Sequence, residues 1–351
     1  MSTPMDALVG QVVLGEHRLD RLLRQDGALA LFEATSTVDG GLYTVIVAHQ
    51  VRVETAATAI EAAVDRAGRH AVGVKGVVSL LRGSTLAGPD RSWLVAVRRG
   101  GADPEPLPVR LPIVEAVRLL TPLAEALAAI HDQGLVHGAL CPLTVGRRNG
   151  ELTLDFFGLG AAAEVACGAR GSRDLLALPY QPPELRGERP SSPGPWTDIA
   201  ALALLALDLV TGTHGLFAEG RVPPLDAHGL IVSPQVTDLF QRTLDPSPRA
   251  RPLDPRVFLR ELLVGASAPL PPPSSSIPAP VPSAAPPVPD AAPSAPAPRP
   301  SASRPSAPAP DPSTHSELPD TEAIQEARQR RLLGVVLGAG LLLLLGGSVA
   351  A

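Results

Sequence analysis

Residues 135–144 read LVHGALCPLT, and the interpretation of the whole chain turns on them. Before them lies AVRLLTPLAEALAAIHDQG (116–134), where Val117, Leu120, Ala124, Leu127 and Ile130 recur at spacings of three and four and predict one buried helix face. Pro122 falls inside that run and predicts a kink or a late start. After them comes ELTLDFFGLG (151–160), a strand-like run ending at Gly158 and Gly160. The loop between holds no carboxylate and no Lys, and His137 is its one base.

Working outward, the N-terminal side reads as strands around one helix. HRLDRLL (17–23) and LALFEAT (29–35) flank RQDG (24–27), a turn signal, and GLYTVIVAHQV (41–51) is a third, β-branched strand. TAATAIEAAVDRAGR (55–69) has a helical period, and VKGVVSLLRG (74–83) and SWLVAVRRG (92–100) return to strand. On the C-terminal side, TDIAALALLALDLVTG (197–212) is apolar on nearly all faces, as a helix buried in a larger helical body must be. VSPQVTDLFQRTL (232–244) and DPRVFLRELL (254–263) are further helices, the last starting at Asp254 and Pro255. A β-rich half followed by an α-rich half makes the fold class α+β with two lobes, about 8–100 and about 101–265.

Composition marks where packing stops. Of 40 Pro, 19 lie between Pro269 and Pro319, so residues 266–316 are expected to form an extended, disordered linker rather than a core. A charged juxtamembrane segment (317–331) follows, and then Leu332–Ala351, twenty residues without a charge. That run is long enough to span a bilayer as one helix. Arg328, Arg330 and Arg331 place its N-terminal side in the cytoplasm, so a tail anchor in a cell membrane is expected. Gly334 and Gly338 form a GxxxG able to pair two such helices into a homodimer. The start of the chain lacks the pattern of a signal peptide. A net charge of −5 argues against nucleic acid as a partner. Lys75 is the only Lys, and Cys141 and Cys167 have no metal-ligand spacing, so no metal is expected.

In order along residues 8–265, these landmarks resemble a bacterial Ser/Thr protein kinase domain. LVGQVVLGEHRLDRLL (8–23) looks like the lead-in to a Gly-rich loop, LVHGALCPLT stands in place of HRDLKPEN, and LDFFGLG (154–160) in place of the DFG segment. LPYQPPEL (178–185) is similar to the APE segment, WTDIAALALLALDLVTG (196–212) to the helix that follows, and LDPSPRARP (244–252) to the late loop. The resemblance implies a bilobal kinase-like fold in which Arg251 pairs with Glu184, Asp198 anchors the catalytic loop, and His137 and Gly158 are structural.

It equally implies what is lost. Phosphoryl transfer relies on a Gly-rich cover, a strand Lys, Mg²⁺ ligands and a base. The three glycines map to Arg24, Asp26 and Leu29, and an Asp there would repel a triphosphate. Ile46 stands for the Lys, leaving Glu61 of the following helix without its partner. Gly138 replaces the loop Arg, Ala139 the base Asp, Cys141 the loop Lys and Thr144 the Mg²⁺-binding Asn. An Ala cannot take a hydroxyl proton. Aligning the Phe-Gly pair puts Phe156 at the metal-binding Asp, with Asp155 one residue early and turned to the other face unless a bulge restores it. Ile46 and Phe156 are expected to pack together, each adding about 1–3 kcal/mol by burial and closing the cleft without nucleotide.

The expectation is a membrane-anchored cytoplasmic pseudokinase that binds protein partners, an active kinase among the candidates, as a signalling scaffold, with no catalytic residues and no cofactor. The alternatives are an unconventional ATP-dependent kinase using Asp155 as a shifted metal ligand, with weak ATP or Mg²⁺ binding left open, or a Pro-rich arm such as RPSAPAP (304–310) acting as the interaction element.

Overall fold

The computed structural model describes residues 5–53, 55–87, 92–100, 107–186, 191–217 and 221–268. The linker, the juxtamembrane segment and the uncharged run 332–351 lie outside them, and among the described residues no helix is long and apolar enough to cross a membrane.

The N-terminal half builds a six-stranded antiparallel sheet from β1 (Val12–Val13), β2 (His17–Asp26), β3 (Leu29–Ser36), β4 (Leu42–Val53), β6 (Arg82–Ala87) and β7 (Ser92–Arg99), in the order β1-β2-β3-β4-β7-β6. Helix α1 (Ala57–His70) crosses after β4, and a short β5 (Val77–Ser79) leaves this sheet. β5 pairs parallel with β9 (Glu151–Phe157), which pairs antiparallel with β8 (Val145–Arg148). The run 74–83 is thus divided between two sheets, which periodicity alone did not indicate.

Residues 44–48 of β4 are buried without alternation because the sheet has a core on each face. Ile46 and Ala48 join the large core shared with the helices, while Val45 and Val47 pack with Phe32, Val95, Val97, Met5 and the lead-in residues Leu8 and Val13.

The second half is helical: α2 (Ile113–His131), α3 (Leu159–Cys167), α4 (Gly171–Leu175), α5 (Pro195–Thr211), α6 (Pro234–Thr243) and α7 (Pro255–Ala266). All fifteen residues of α5 from Thr197 to Thr211 are buried, which accounts for its apolar circumference. Pro122 corrects the expectation of a late start, since α2 begins at Ile113 and continues through it. A proline removes one N–H and crowds one carbonyl. Here Leu120, Leu123 and Ala124 on either side of it are fully buried, and that packing holds the turn in register. At α7, the Asp254 carboxylate accepts from the Arg256 backbone N–H at 2.7 Å, and the Arg256 guanidinium bonded to it, more than that cap bond, holds its carboxyl below the usual range.

Candidate functional site

The loop 135–144 is held from below by Asp198, in the first turn of α5. Its Oδ2 accepts from the His137 N–H and its Oδ1 from the Gly138 N–H, each at 2.8 Å, and His131 Nε2 stands 3.0 Å from Oδ2. Gly138 has φ +67°, a conformation that favours glycine, and α3 comes so close that a Cβ on Gly160 would lie 2.3 Å from the His137 carbonyl oxygen. The His137 ring is fully buried, with Nδ1 facing the Ala139 N–H at 3.3 Å and Nε2 3.1 Å from the Asp155 carbonyl. Nδ1 therefore accepts, Nε2 carries the proton, and the ring is neutral. Ala139 is wholly buried, and the Thr144 hydroxyl donates to its carbonyl at 2.8 Å while accepting from the Cys141 N–H at 3.0 Å. The side chain at the position that the resemblance gives to a metal-binding Asn thus closes the loop on itself. Burial pushes the Cys141 thiol up to about 11, so it is not a nucleophile.

Burial lowers the His137 pKa from 6.5, with Asp198 the largest influence the other way. The unfolded chain then binds a proton that the folded chain does not, so stability is full above pH 6.5 and falls as pH drops below it. Melting temperatures of wild type and His137→Gln between about pH 5 and 7 should show a shallower acid-side decline in the variant.

The DFG-like segment does contain a bulge. Val77 pairs with Leu154 and Ser79 with Phe157, so that Asp155 and Phe156 of β9 stand against Val78 alone of β5. Phe156 takes up the irregularity at φ +58°, a region costing about 1–2 kcal/mol for most side chains and entered more readily by Asp or Asn. Its ring is 1 % exposed and shares the large core with Ile46 and Ala139. Asp155, the residue expected as a shifted metal ligand in the alternative reading, is engaged by other side chains. Its Oδ2 lies 3.0 Å from the Arg98 guanidinium on β7 and its Oδ1 accepts from the Thr153 hydroxyl at 2.8 Å. Gly146 of β8 makes room, since a Cβ there would be 2.4 Å from Oδ2. Arg98 also reaches the Arg99 and Gly100 carbonyls, each at 3.3 Å, and its Cζ lies 5.2 Å from the centre of the Phe156 ring.

Over the cleft, the β2–β3 hairpin turns at Gly27, with φ +55°. Its tip lies on the segment before the PPE, where a Cβ on Gly27 would meet the Ala177 Cα at 2.8 Å. Arg24 and Asp26 are half-buried, Leu29 is buried, and burial raises the Asp26 carboxyl. A pocket of about 460 Å³ remains beside the tip, lined by Ala28, Arg173, Asp174 and Gln181 among others. On β4, Ile46 lies between Leu31 and Ala96, and His49 meets Gln25 at 3.2 Å. Glu61 is exposed on α1. The single Lys, Lys75, is an exposed partner of Glu151 at 3.1 Å.

Behind the loop, Arg251 is gripped by four acceptors. Its fork meets Glu184 at 3.0 and 2.5 Å and donates to the Trp196 and Asp245 carbonyls at 3.0 and 2.8 Å. Thr197 donates to Glu184 at 2.8 Å. Tyr180 donates to Asp208 at 2.6 Å, and His214 stands 3.0 Å from the same oxygen.

Sequence reasoning did not single out Arg98, Gly146, Thr153 or the Tyr180–Asp208–His214 cluster. A signal existed for Arg98, because strand alternation from Leu94 through Ala96 puts it on the inward face.

No family model and no curated protein matches this sequence. Among solved structures, the chain is similar to the kinase domain of Mycobacterium tuberculosis PknI, with TM-score 0.51 and 19 % identity over 76 % of this chain and all of that one. A second structure of that domain gives TM-score 0.49 at 19 % identity, over 74 % of this chain and 99 % of the other. The fold is that of a protein kinase domain.

Proposed function

We propose that a kinase-like fold whose cleft is filled by its own side chains serves as a binding module: a pseudokinase presenting its two-lobed surface to protein partners, as a signalling scaffold or allosteric partner in the cytoplasm. The observation that carries the reading is the burial of Ile46, Ala139 and Phe156 in one continuous core, at the positions that the resemblance gives to the Lys, the base and the metal-binding Asp. Each change removes a charge that phosphoryl transfer relies on, and together they leave no proton acceptor for a substrate hydroxyl. The competing reading, an active kinase using Asp155, requires that carboxylate to leave a buried ion pair first, and breaking such a pair from one side is costly. A membrane tether rests on the uncharged run 332–351 and the arginines before it, so the proposed setting is the cytoplasmic face of a membrane, with an active kinase one suitable partner.

Titration of the full chain with ATP and Mg²⁺ tests this. Ligand at 100 times its Kd would stabilise the fold by about 2.7 kcal/mol. Millimolar nucleotide is expected to leave the melting temperature unchanged and no phosphate to be incorporated from labelled ATP. Saturable, Mg²⁺-dependent binding in the micromolar range would overturn the reading.

A further inference from the structure

Apolar filling explains Ile46, Ala139 and Phe156, but it does not explain Arg98. Replacing a buried ion pair by packed apolar groups is often neutral or stabilising. A buried guanidinium and carboxylate packed beside Phe156 therefore call for a reason of their own.

The surroundings of Arg98 have the character of a receptor. The carboxylate of Asp155 meets the fork at 3.0 Å, the carbonyls of Arg99 and Gly100 take a second nitrogen at 3.3 Å each, and the Phe156 ring faces the guanidinium carbon at 5.2 Å. The receptor is itself held in place. Thr153 donates to the other Asp155 oxygen at 2.8 Å, and Gly146 leaves the space that the carboxylate occupies. Both side chains are almost fully buried, at 5 % and 4 % exposure. An anion, two backbone carbonyls and an aromatic face receive the two terminal nitrogens and the guanidinium carbon, with the buried Nε left unpartnered, and so favour a planar cation with two amino groups over a spherical ammonium. The contact also joins β7 of the six-stranded sheet to β9 of the three-stranded one.

We infer that the cleft contains a guanidinium-binding site filled by the chain's own Arg98, an internal ligand that locks the two sheets together and fixes the closed arrangement without any added molecule. The inference deepens the reading of a cleft without nucleotide and rests on it. A planar molecule entering the cleft at this point has to displace Arg98.

The test uses the full chain carrying Arg98→Ala or Arg98→Lys, melted with and without millimolar ethylguanidinium, and with ethylammonium as the control cation. Arg98→Ala is expected to melt about 10 °C below wild type. Ethylguanidinium should raise its melting temperature saturably while leaving wild type unmoved, and ethylammonium should not. Arg98→Lys keeps the charge but not the fork and should recover less than half of the loss. A wild-type melting temperature in either variant overturns the lock, as does a guanidinium effect that is absent or equal in wild type. Should Arg98→Ala not fold, the same ethylguanidinium comparison is made on Arg98→Lys. Nucleotide titration of wild type reports separately: binding there sinks the silent-cleft reading, whereas failed rescue with no nucleotide bound sinks the lock alone.

Discussion

Arg251→Ala is expected to lower stability by about 3–5 kcal/mol, because it strands the buried Glu184 carboxylate. The Arg251 side chain has no exposed surface and Glu184 keeps 3 %. Truncation removes both bonds to the carboxylate and the donors to the Trp196 and Asp245 carbonyls, leaving Thr197 as the one described donor to Glu184. Unpaired buried charge, rather than lost attraction, dominates the cost. Arg251→Lys restores charge but not a fork, and should recover a minor part. Glu184→Gln keeps shape and removes charge, so a fully formed Arg251→Ala/Glu184→Gln double variant should be less destabilised than the sum of the two single changes. Urea unfolding of the four proteins checks this, and additive losses would show that the network is not a coupled unit.

Asp198→Ala comes second in size, at about 3 kcal/mol or more, from two backbone N–H groups left without an acceptor at roughly 1.5–3 kcal/mol each for bonds to a charged group. It acts on the corner where α2, the 135–144 loop and α5 meet, because the same carboxylate also faces His131. Asp198→Asn is nearly isosteric but turns an amide NH₂ toward the His137 or Gly138 N–H, so it should be nearly as damaging as Ala. Hydrogen exchange gives the specific readout: amides 137 and 138 should lose protection in both variants before the rest of the domain does. Uniform loss across the domain would mean that Asp198 supports the core rather than the loop.

The order of landmarks carries the fold because each landmark is a local pattern: the α5 circumference, the alternating strands and the proline-framed PPE at 182–184 are readable one segment at a time. Pairings over long stretches of chain are harder to read. Glu184 and Arg251 could be matched through the resemblance, and they stand 2.5 Å apart. Nothing similar announces Arg98 with Asp155, since their meeting depends on a bulge between β5 and β9 and on the missing side chain of Gly146. The bulge itself was anticipated as the way to turn Asp155 toward the cleft. In the structure the residue that takes up the strained conformation is Phe156, and Asp155 is turned toward an arginine. Pro122 misled for a related reason, because helix-breaking is a local preference that burial on both sides of the proline overrides.

The tight packing of α3 and α4 has a consequence for control. Between Gly158 and Tyr180 the sequence offers two hydroxyls, Ser172 and Tyr180. Ser172 is buried in α4, with its oxygen sealed from solvent, and Tyr180 is committed to Asp208. Gly160 brings this stretch against the backbone at His137, and Gly171 brings α4 against α3 at Ala163. A modifying enzyme would have to melt the segment before reaching either oxygen. In the folded domain, therefore, neither hydroxyl between the DFG-like and PPE landmarks is presented to a phosphorylating enzyme.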